Sequence, residues 1–154
     1  MTEPEIVKEL EEIQALFVQT ANSAEHIDGR IVLRAVGPST LFFSDRPQRV
    51  VGHIGTPQFV DIWGVGENNF AEDPPNAVLA FIPDGTDEPR DVVIEITDPV
   101  ITGSDLSYAA TVLEGALPER AAGCTLFIDP IGRPLSPVSI AGMNRRDRRR
   151  DRRR

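Results

Sequence analysis

The chain is poor in the residues from which disulfide frameworks, metal sites and membrane spans are built. It has 154 residues, with one cysteine and two histidines. A single cysteine, Cys124, excludes an internal disulfide framework and a cysteine-rich zinc site. No apolar run approaches the roughly 20 residues that a membrane-spanning helix needs. The N-terminal stretch MTEPEIVKELEEI is acidic, the opposite of a secretory signal, and we therefore expect a cytoplasmic protein.

The common local motifs of catalysis and nucleotide binding are also missing. Gly64 and Gly66 end a predicted helix instead of opening one after a strand, so they do not form a phosphate-binding loop. No Gly-x-Ser-x-Gly elbow surrounds Ser44, which weakens the case for a serine nucleophile. The acidic residues at 84–91 lack the spacing of a calcium loop. We therefore predict neither a metal site nor a cofactor.

The net charge of -8 conceals two regions of opposite sign. Residues 145–154 carry eight arginines and two aspartates, a charge of +6, which leaves -14 on residues 1–144. We predict a single globular domain over 1–144 and a disordered tail over 145–154, since nothing apolar anchors the tail. The acidic body should repel nucleic acid, and only the tail could attract it. The candidate binding residues of the tail are Arg145, Arg146, Arg148, Arg149, Arg150, Arg152, Arg153 and Arg154.

The first half of the domain combines one amphipathic helix with a hairpin. Residues 3–14 predict a helix with a narrow apolar stripe, and this stripe must cover either the body's own sheet or another subunit. Asp28-Gly29 is a two-residue turn signal, and it predicts strands at 16–27 and 30–36. TLFF follows as a short buried strand. A second helix is predicted with Thr56 as its N-cap and Pro57 in its first turn.

The second half, to about residue 130, is dense in strand signals. Five segments alternate or run apolar between turn-forming residues, namely AVLAFI, VVIEIT, PVIT, LSYAATVL and CTLFI. With the three earlier strands they make eight candidates joined by short loops. The pattern predicts a mainly β protein, an antiparallel sandwich or barrel, with an N-terminal helix and one short mid-chain helix. Whether the strands close into a barrel or stack as two sheets is left open by the sequence.

The segment SDRPQRVVGH, Ser44 to His53, has two interpretations. As a catalytic or binding site, a histidine would carry protons, an aspartate would orient it and an arginine would clamp an anion. As a structural corner, Asp-Arg-Pro would form a turn held by partly buried charge pairs. We favour the corner, because short motif matches often arise without function. The weak catalytic candidates are Asp45, Arg46, Arg49, His53 and Asp61.

Three stretches, STLFFSDRPQRVVGH, FAEDPPNA and VLEGALP, carry a resemblance to known proteins. With them the chain resembles a family of small uncharacterised bacterial β-rich proteins, over most of residues 15–130. The resemblance implies a compact β-rich bacterial domain. It implies no activity, ligand or catalytic residue.

We therefore expect a non-enzymatic, β-rich binding or assembly module. The Arg-rich tail would tether it to a polyanion or to an acidic protein surface, including that of a neighbouring copy, or would only solubilise the chain. A homo-oligomer through the N-terminal helix is a second expected contact. The alternative is a small hydrolase or isomerase with its site around the five catalytic candidates.

Overall fold

Eight antiparallel strands and two short helices account for the part of the chain that the structure, a computed structural model, describes. Those residues are 2–45, 47–67 and 69–130. The predicted mainly β class is confirmed, with 57% strand. The elements are α1 (Glu3–Glu12), β1 (Leu16–Ile27), β2 (Arg30–Val36), β3 (Ser39–Ser44), β4 (Val50–Gly55), α2 (Thr56–Asp61), β5 (Asn76–Pro83), β6 (Arg90–Thr102), β7 (Asp105–Glu114) and β8 (Arg120–Asp129). Neither described helix has the length and apolar character needed to cross a membrane.

Six of the strands close into a barrel, which decides between the two predicted architectures. Going round the barrel the order is β1, β2, β7, β6, β5, β8 and back to β1, with every neighbouring pair antiparallel. Closure removes the exposed edges that an open sheet would leave. The turn between β1 and β2 is the predicted one, because Asp28 and Gly29 both have positive φ (51° and 76°), as this type of hairpin turn requires. The strand bounds predicted on either side of this turn are confirmed.

Strands β3 and β4 form a hairpin that branches off the barrel. One edge of β1 pairs with β8, and its other edge is shared between β2, which takes Ala21 to Ile27, and β3, which takes Leu16 to Val18. The chain passes from β2 to β3 through Gly37 and Pro38, beside Thr20. The N–H of Gly37 donates to the carbonyl of Thr20 at 2.7 Å. At this branch point β2 continues into the barrel through β7, whereas β3 pairs with β4.

A chain of buried hydrogen bonds links the barrel interior to this branch point. The hydroxyl of Tyr108 donates to Gln19 (2.6 Å), whose amide donates to Thr40 (3.2 Å). Thr40 lies 3.0 Å from Thr56, whose hydroxyl donates to the carbonyl of Gly37 (2.6 Å). Every buried side-chain nitrogen or oxygen in the described residues has a partner. The barrel therefore tolerates these polar groups in an otherwise apolar core.

The apolar stripe of α1 covers the chain's own core. Val7 and Leu10 are buried, and Ile6 and Ile13 pack against the same core cluster. The helix ends two residues before the predicted position 14, because Ile13 is its C-cap. Thr2 caps the other end in a reciprocal arrangement with Glu5. Of the two surfaces that the stripe could cover, the structure places it on the body.

Three local predictions differ from the structure. α2 begins at Thr56 with Gly55 as N-cap, because the Thr56 hydroxyl is engaged with Thr40 and the Gly37 carbonyl instead of capping the helix. VVIEIT and PVIT are one strand, β6, whose register shifts between Thr97 and Val100. The number of strands is still eight, because the structure contains a strand that was not predicted, β4. Its two glycines interrupt the alternation of apolar and polar side chains that would have indicated a strand.

A clamp around Arg30 stabilises the irregularity in β6. Asp98 has φ of 50° and precedes Pro99, which lacks the N–H that a regular ladder would use. The Arg30 guanidinium contacts the Asp98 carboxylate at 3.0 Å and also donates to the Asp98 carbonyl. It donates to the carbonyl of Ser107 on β7 as well, at 3.2 Å. One side chain thus forms hydrogen bonds with a backbone carbonyl of β6, at the bulge, and with a backbone carbonyl of the neighbouring strand β7.

We expect Arg30→Ala to lower the free energy of unfolding by about 1–2 kcal/mol, because charge-assisted hydrogen bonds to backbone carbonyls are lost at a partly buried site. The measurement is urea unfolding followed by tryptophan fluorescence. The control is Arg90→Ala, whose ion pair with Glu88 is solvent-exposed and should contribute almost nothing. Equal effects of the two substitutions would contradict the clamp.

A second charged network crosses four strands on the barrel surface. Arg34 on β2 lies 2.8 Å from Asp105 on β7 and 3.3 Å from Glu25 on β1, and Glu25 also meets Arg120 on β8. A hydrogen bond from the N–H of Ala35, followed by one from Arg34, holds the pKa of Asp105 below its usual value. The folded state therefore favours the ionised form of this carboxyl.

The pKa of Asp105 is lower in the folded chain than in the unfolded chain. Its contribution to stability is therefore present above the unfolded-state pKa and is lost as the pH falls through the folded-state pKa. We expect Asp105→Asn to be less stable than the wild-type chain at neutral pH and to approach it on acidification. The measurement is thermal unfolding across an acid pH series. Asp84→Asn, an exposed loop substitution, should match the wild type at neutral pH. A stability difference for Asp105→Asn that is constant with pH would contradict this account.

Candidate functional site

The SDRP segment forms an exposed turn between β3 and β4. Asp45 and Arg49 lie 3.7 Å apart, with 83% and 93% of their side chains exposed. The expectation of a partly buried charged corner is therefore wrong for this pair, since an exposed ion pair contributes little to stability. Arg46 lies outside the described residues.

The remaining catalytic candidates lie on exposed positions of two different elements. His53 is on β4, and its Nδ1 lies 3.2 Å from the hydroxyl of Ser39 on β3. Asp61 is the last residue of α2 and is exposed. In the described part of the chain no hydrogen bond joins His53 to a carboxylate. The structure thus brings together Asp45 and Arg49 but provides no hydrogen-bonded acid–base pair around His53, and the enzyme hypothesis stays a prediction.

Two potential nucleophiles are held in structural positions. Ser44 is buried and its hydroxyl donates to the carbonyl of Ile13 at the end of α1, which ties the β3–β4 hairpin to that helix. Cys124 is buried, and burial raises the pKa of its thiol to about 11. The thiol therefore stays protonated at neutral pH, whereas the reactive form of a cysteine is the thiolate. The described residues contain no group of three or more metal-ligating side chains.

An apolar surface spreads over the outer side of the sheet where β3 joins the barrel. Leu41, Val18 and Phe127 lie in register on β3, β1 and β8, and Phe43 and Val51 are paired next to them on β3 and β4. Leu41, Phe43, Val51 and Phe127 are all exposed, and Val51 most of all, at 85%. We call these five residues the outer patch. On β1, β3 and β8 the neighbours of these residues along the strand are buried or pack against the core, so alternation itself places the patch side chains outside.

The outer patch reaches the one strand of the described sheet that has a free edge. Among the strands that the structure describes, β4 ends the strand order and pairs only with β3. Its sequence, VVGHIG, contains no proline, lysine or acidic residue, the features with which proteins usually protect an edge. Gly52 sits under the ring of Phe42, where a Cβ would lie 2.4 Å from the ring. The strand is therefore both unprotected and closely packed on its hairpin partner.

A cavity of about 340 Å³ lies where α1 and the loop after α2 meet the barrel. Val7 and Leu10 of α1 form one wall, and Ile62 and Val65 form the other. Phe70 and Phe17 also line it, and their rings belong to a cluster of aromatic residues that includes Phe59, Trp63 and Tyr108. Two rings of this aromatic cluster therefore form part of the cavity wall.

The polar lining of this cavity is acidic or uncharged. Its four polar residues are Glu11, Gln14, Asn69 and Asp73. Asn69 bonds the carbonyl of Gly66 and the N–H of Glu72, which fixes the loop. Gly66 has φ of 100°, and a Cβ there would lie 3.0 Å from Val7 and 3.6 Å from the Glu11 carboxylate. A glycine thus allows the loop to approach α1 closely and so form the cavity.

Comparisons with protein-family models, with curated proteins and with solved structures found no match to this chain. The resemblance to a bacterial family stays a prediction. The eight tail arginines lie outside the described residues, as does the chain after Pro130.

Sequence reasoning overlooked both the outer patch and the cavity. The signal for the patch is the apolar TLFF segment followed, after the SDRP turn, by VVGHI, which pairs with it as a hairpin. The cavity draws its lining from residues 7–17, 62–73 and Pro130, and no local pattern links these segments.

Proposed function

We propose that the chain is a non-enzymatic binding and assembly module whose body associates with a second copy through β4. The single observation that carries this proposal is the free, unprotected edge of β4 next to the exposed outer patch. An edge strand offers a row of backbone N–H and C=O groups to another strand. The same edge on a second copy offers the complementary row, so that two copies related by a two-fold axis can pair antiparallel.

The side chains of the outer patch support the same contact. Val51 projects from β4 itself, and Phe43 lies beside it on β3. Pairing of two β4 strands would make the two sheets continuous and place both patches on one apolar surface. Burying that surface supplies the free energy that backbone pairing alone does not. The contact predicted through α1 is less favoured, because the stripe that suggested it packs on the core.

The Arg-rich tail at 145–154 completes the proposal as an electrostatic tether. Its charge of +6 contrasts with -14 on the rest of the chain. Guanidinium groups bind phosphates and carboxylates with paired hydrogen bonds. A polyanion and the acidic body of a neighbouring copy both provide such groups.

We expect the full chain to be a dimer and Val51→Lys to weaken its association at least tenfold, because a charge on the edge strand opposes both strand pairing and apolar burial. The measurement is sedimentation equilibrium over a range of protein concentrations. The control is Val100→Lys, which adds the same charge at an exposed apolar position of β6 away from the outer patch. A wild-type chain that stays monomeric up to millimolar concentration would refute the assembly, as would equal effects of the two substitutions.

Deleting residues 145–154 should abolish salt-sensitive binding to a polyanion and leave the melting temperature nearly unchanged, because the ten residues removed are eight arginines and two aspartates, with no apolar side chain to bury. The measurement is heparin affinity across a salt gradient, beside thermal unfolding. A variant with all eight arginines changed to lysine keeps the charge, and it should retain the salt-sensitive part of the binding, which depends on charge, and lose the part that depends on paired guanidinium hydrogen bonds. If the deletion instead weakens self-association and heparin binding is absent from the start, the acidic neighbour is the target. If the deletion changes neither heparin binding nor self-association, the tail is not an electrostatic tether.

A further inference from the structure

We infer that the cavity between α1 and the loop after α2 is a binding site for a small cationic amphiphile, a molecule with an apolar body and a protonated amine. This inference does not depend on the proposed assembly through β4. It rests on three features of the described residues, which are the volume and lining of the cavity, the charge of its rim, and the lack of ion-pair partners for that charge.

The apolar part of the site follows from the lining. Eight of the twelve lining residues are apolar, and two of them, Phe17 and Phe70, belong to the aromatic cluster. The volume of about 340 Å³ lies at the lower end of the range of about 300–1,000 Å³ typical of small-molecule sites. Such a cavity suits a short alkyl chain or a single ring system.

The charge of the ligand follows from the segments that form the rim. Residues 7–17 and 62–73 together contain six acidic side chains and one basic one, Lys8. Two of the acidic residues, Glu11 and Asp73, line the cavity. An anion would meet a concentrated negative potential here, whereas a cation would be attracted and held.

The two lining carboxylates are available to a ligand. Neither Glu11 nor Asp73 forms a salt bridge with another residue of the described part of the chain, in contrast to Glu25 and Asp105 on the barrel surface. The lining amide of Asn69 is already used by Gly66 and Glu72. A ligand ammonium is therefore the group that best complements the remaining polar lining.

The test compares three probes that share one apolar body, n-octylammonium, n-octanol and n-octanoate, by isothermal titration of the full chain. We expect octylammonium to bind most tightly and octanoate least. Glu11→Gln and Asp73→Asn should each weaken octylammonium binding roughly two- to fivefold, as expected of exposed ion pairs, and should not weaken octanol binding. Asp84→Asn, in the exposed loop between β5 and β6 and outside both segments that form the rim, also removes one carboxylate charge; it is the control and should leave all three affinities unchanged.

Two further variants locate the binding. Val65→Phe should fill the cavity and weaken octylammonium and octanol alike, whereas Val51→Lys in the outer patch should weaken neither. Equal affinity for the three probes, insensitivity to Val65→Phe, or no binding at all would overturn the inference. The chain continues from Pro130, which lines the cavity, into an apolar segment and the Arg tail. Binding of octylammonium only after deletion of residues 145–154 would likewise overturn it, by showing that the tail takes the place of the ligand.

Discussion

The structure depends on the way in which β1 divides one of its edges between two strands. β2 takes the C-terminal part and closes the barrel, and β3 takes the N-terminal part and leaves with β4. The division falls at Gly37 and Pro38, and hydrogen bonds hold it from two sides. The carbonyl of Thr20 accepts from the N–H of Gly37. Thr56 donates its hydroxyl to the Gly37 carbonyl and its N–H to the Pro38 carbonyl. Without this branch point there would be neither a free strand edge nor an outer patch.

The buried hydrogen bonds explain why the branch point is fixed in one arrangement. Gln19 and Thr40 lie inside the structure, where an unpaired amide or hydroxyl costs about 1–3 kcal/mol. Each donates or accepts only when β1, β3 and the start of α2 take their observed positions. Tyr108, whose pKa is raised by burial, stays a neutral donor at the far end of this chain. The polar groups therefore specify geometry, while the surrounding apolar side chains supply most of the stability.

Much of the fold could be predicted from local patterns, and the differences have local causes. Asp28-Gly29 fixed the first hairpin because its turn needs residues that accept positive φ. Asp98-Pro99 resembled a strand end, but the Arg30 clamp comes from residues distant in the sequence and keeps β6 continuous. The candidate sites depended even more on tertiary structure. Asp45 and Arg49 lie close together in space because they are only four residues apart in one turn. Phe70, in contrast, lines the cavity although it comes from a segment whose composition indicates only an acidic loop.

The division of charge links the two proposals physically. Two bodies of -14 each repel one another, so a contact through β4 must overcome a repulsion that salt screens beyond about 8 Å at physiological ionic strength. A basic tail on each copy offsets part of that repulsion, but salt screens this attraction as well. Apolar burial at the outer patch does not weaken with salt in this way. Association that strengthens as salt is added therefore indicates the patch, and association that weakens indicates the tail. The acidic rim of the cavity belongs to the same negatively charged domain. The preference of the cavity for a cation should therefore weaken as salt is added, whereas its affinity for the apolar part of a ligand should not.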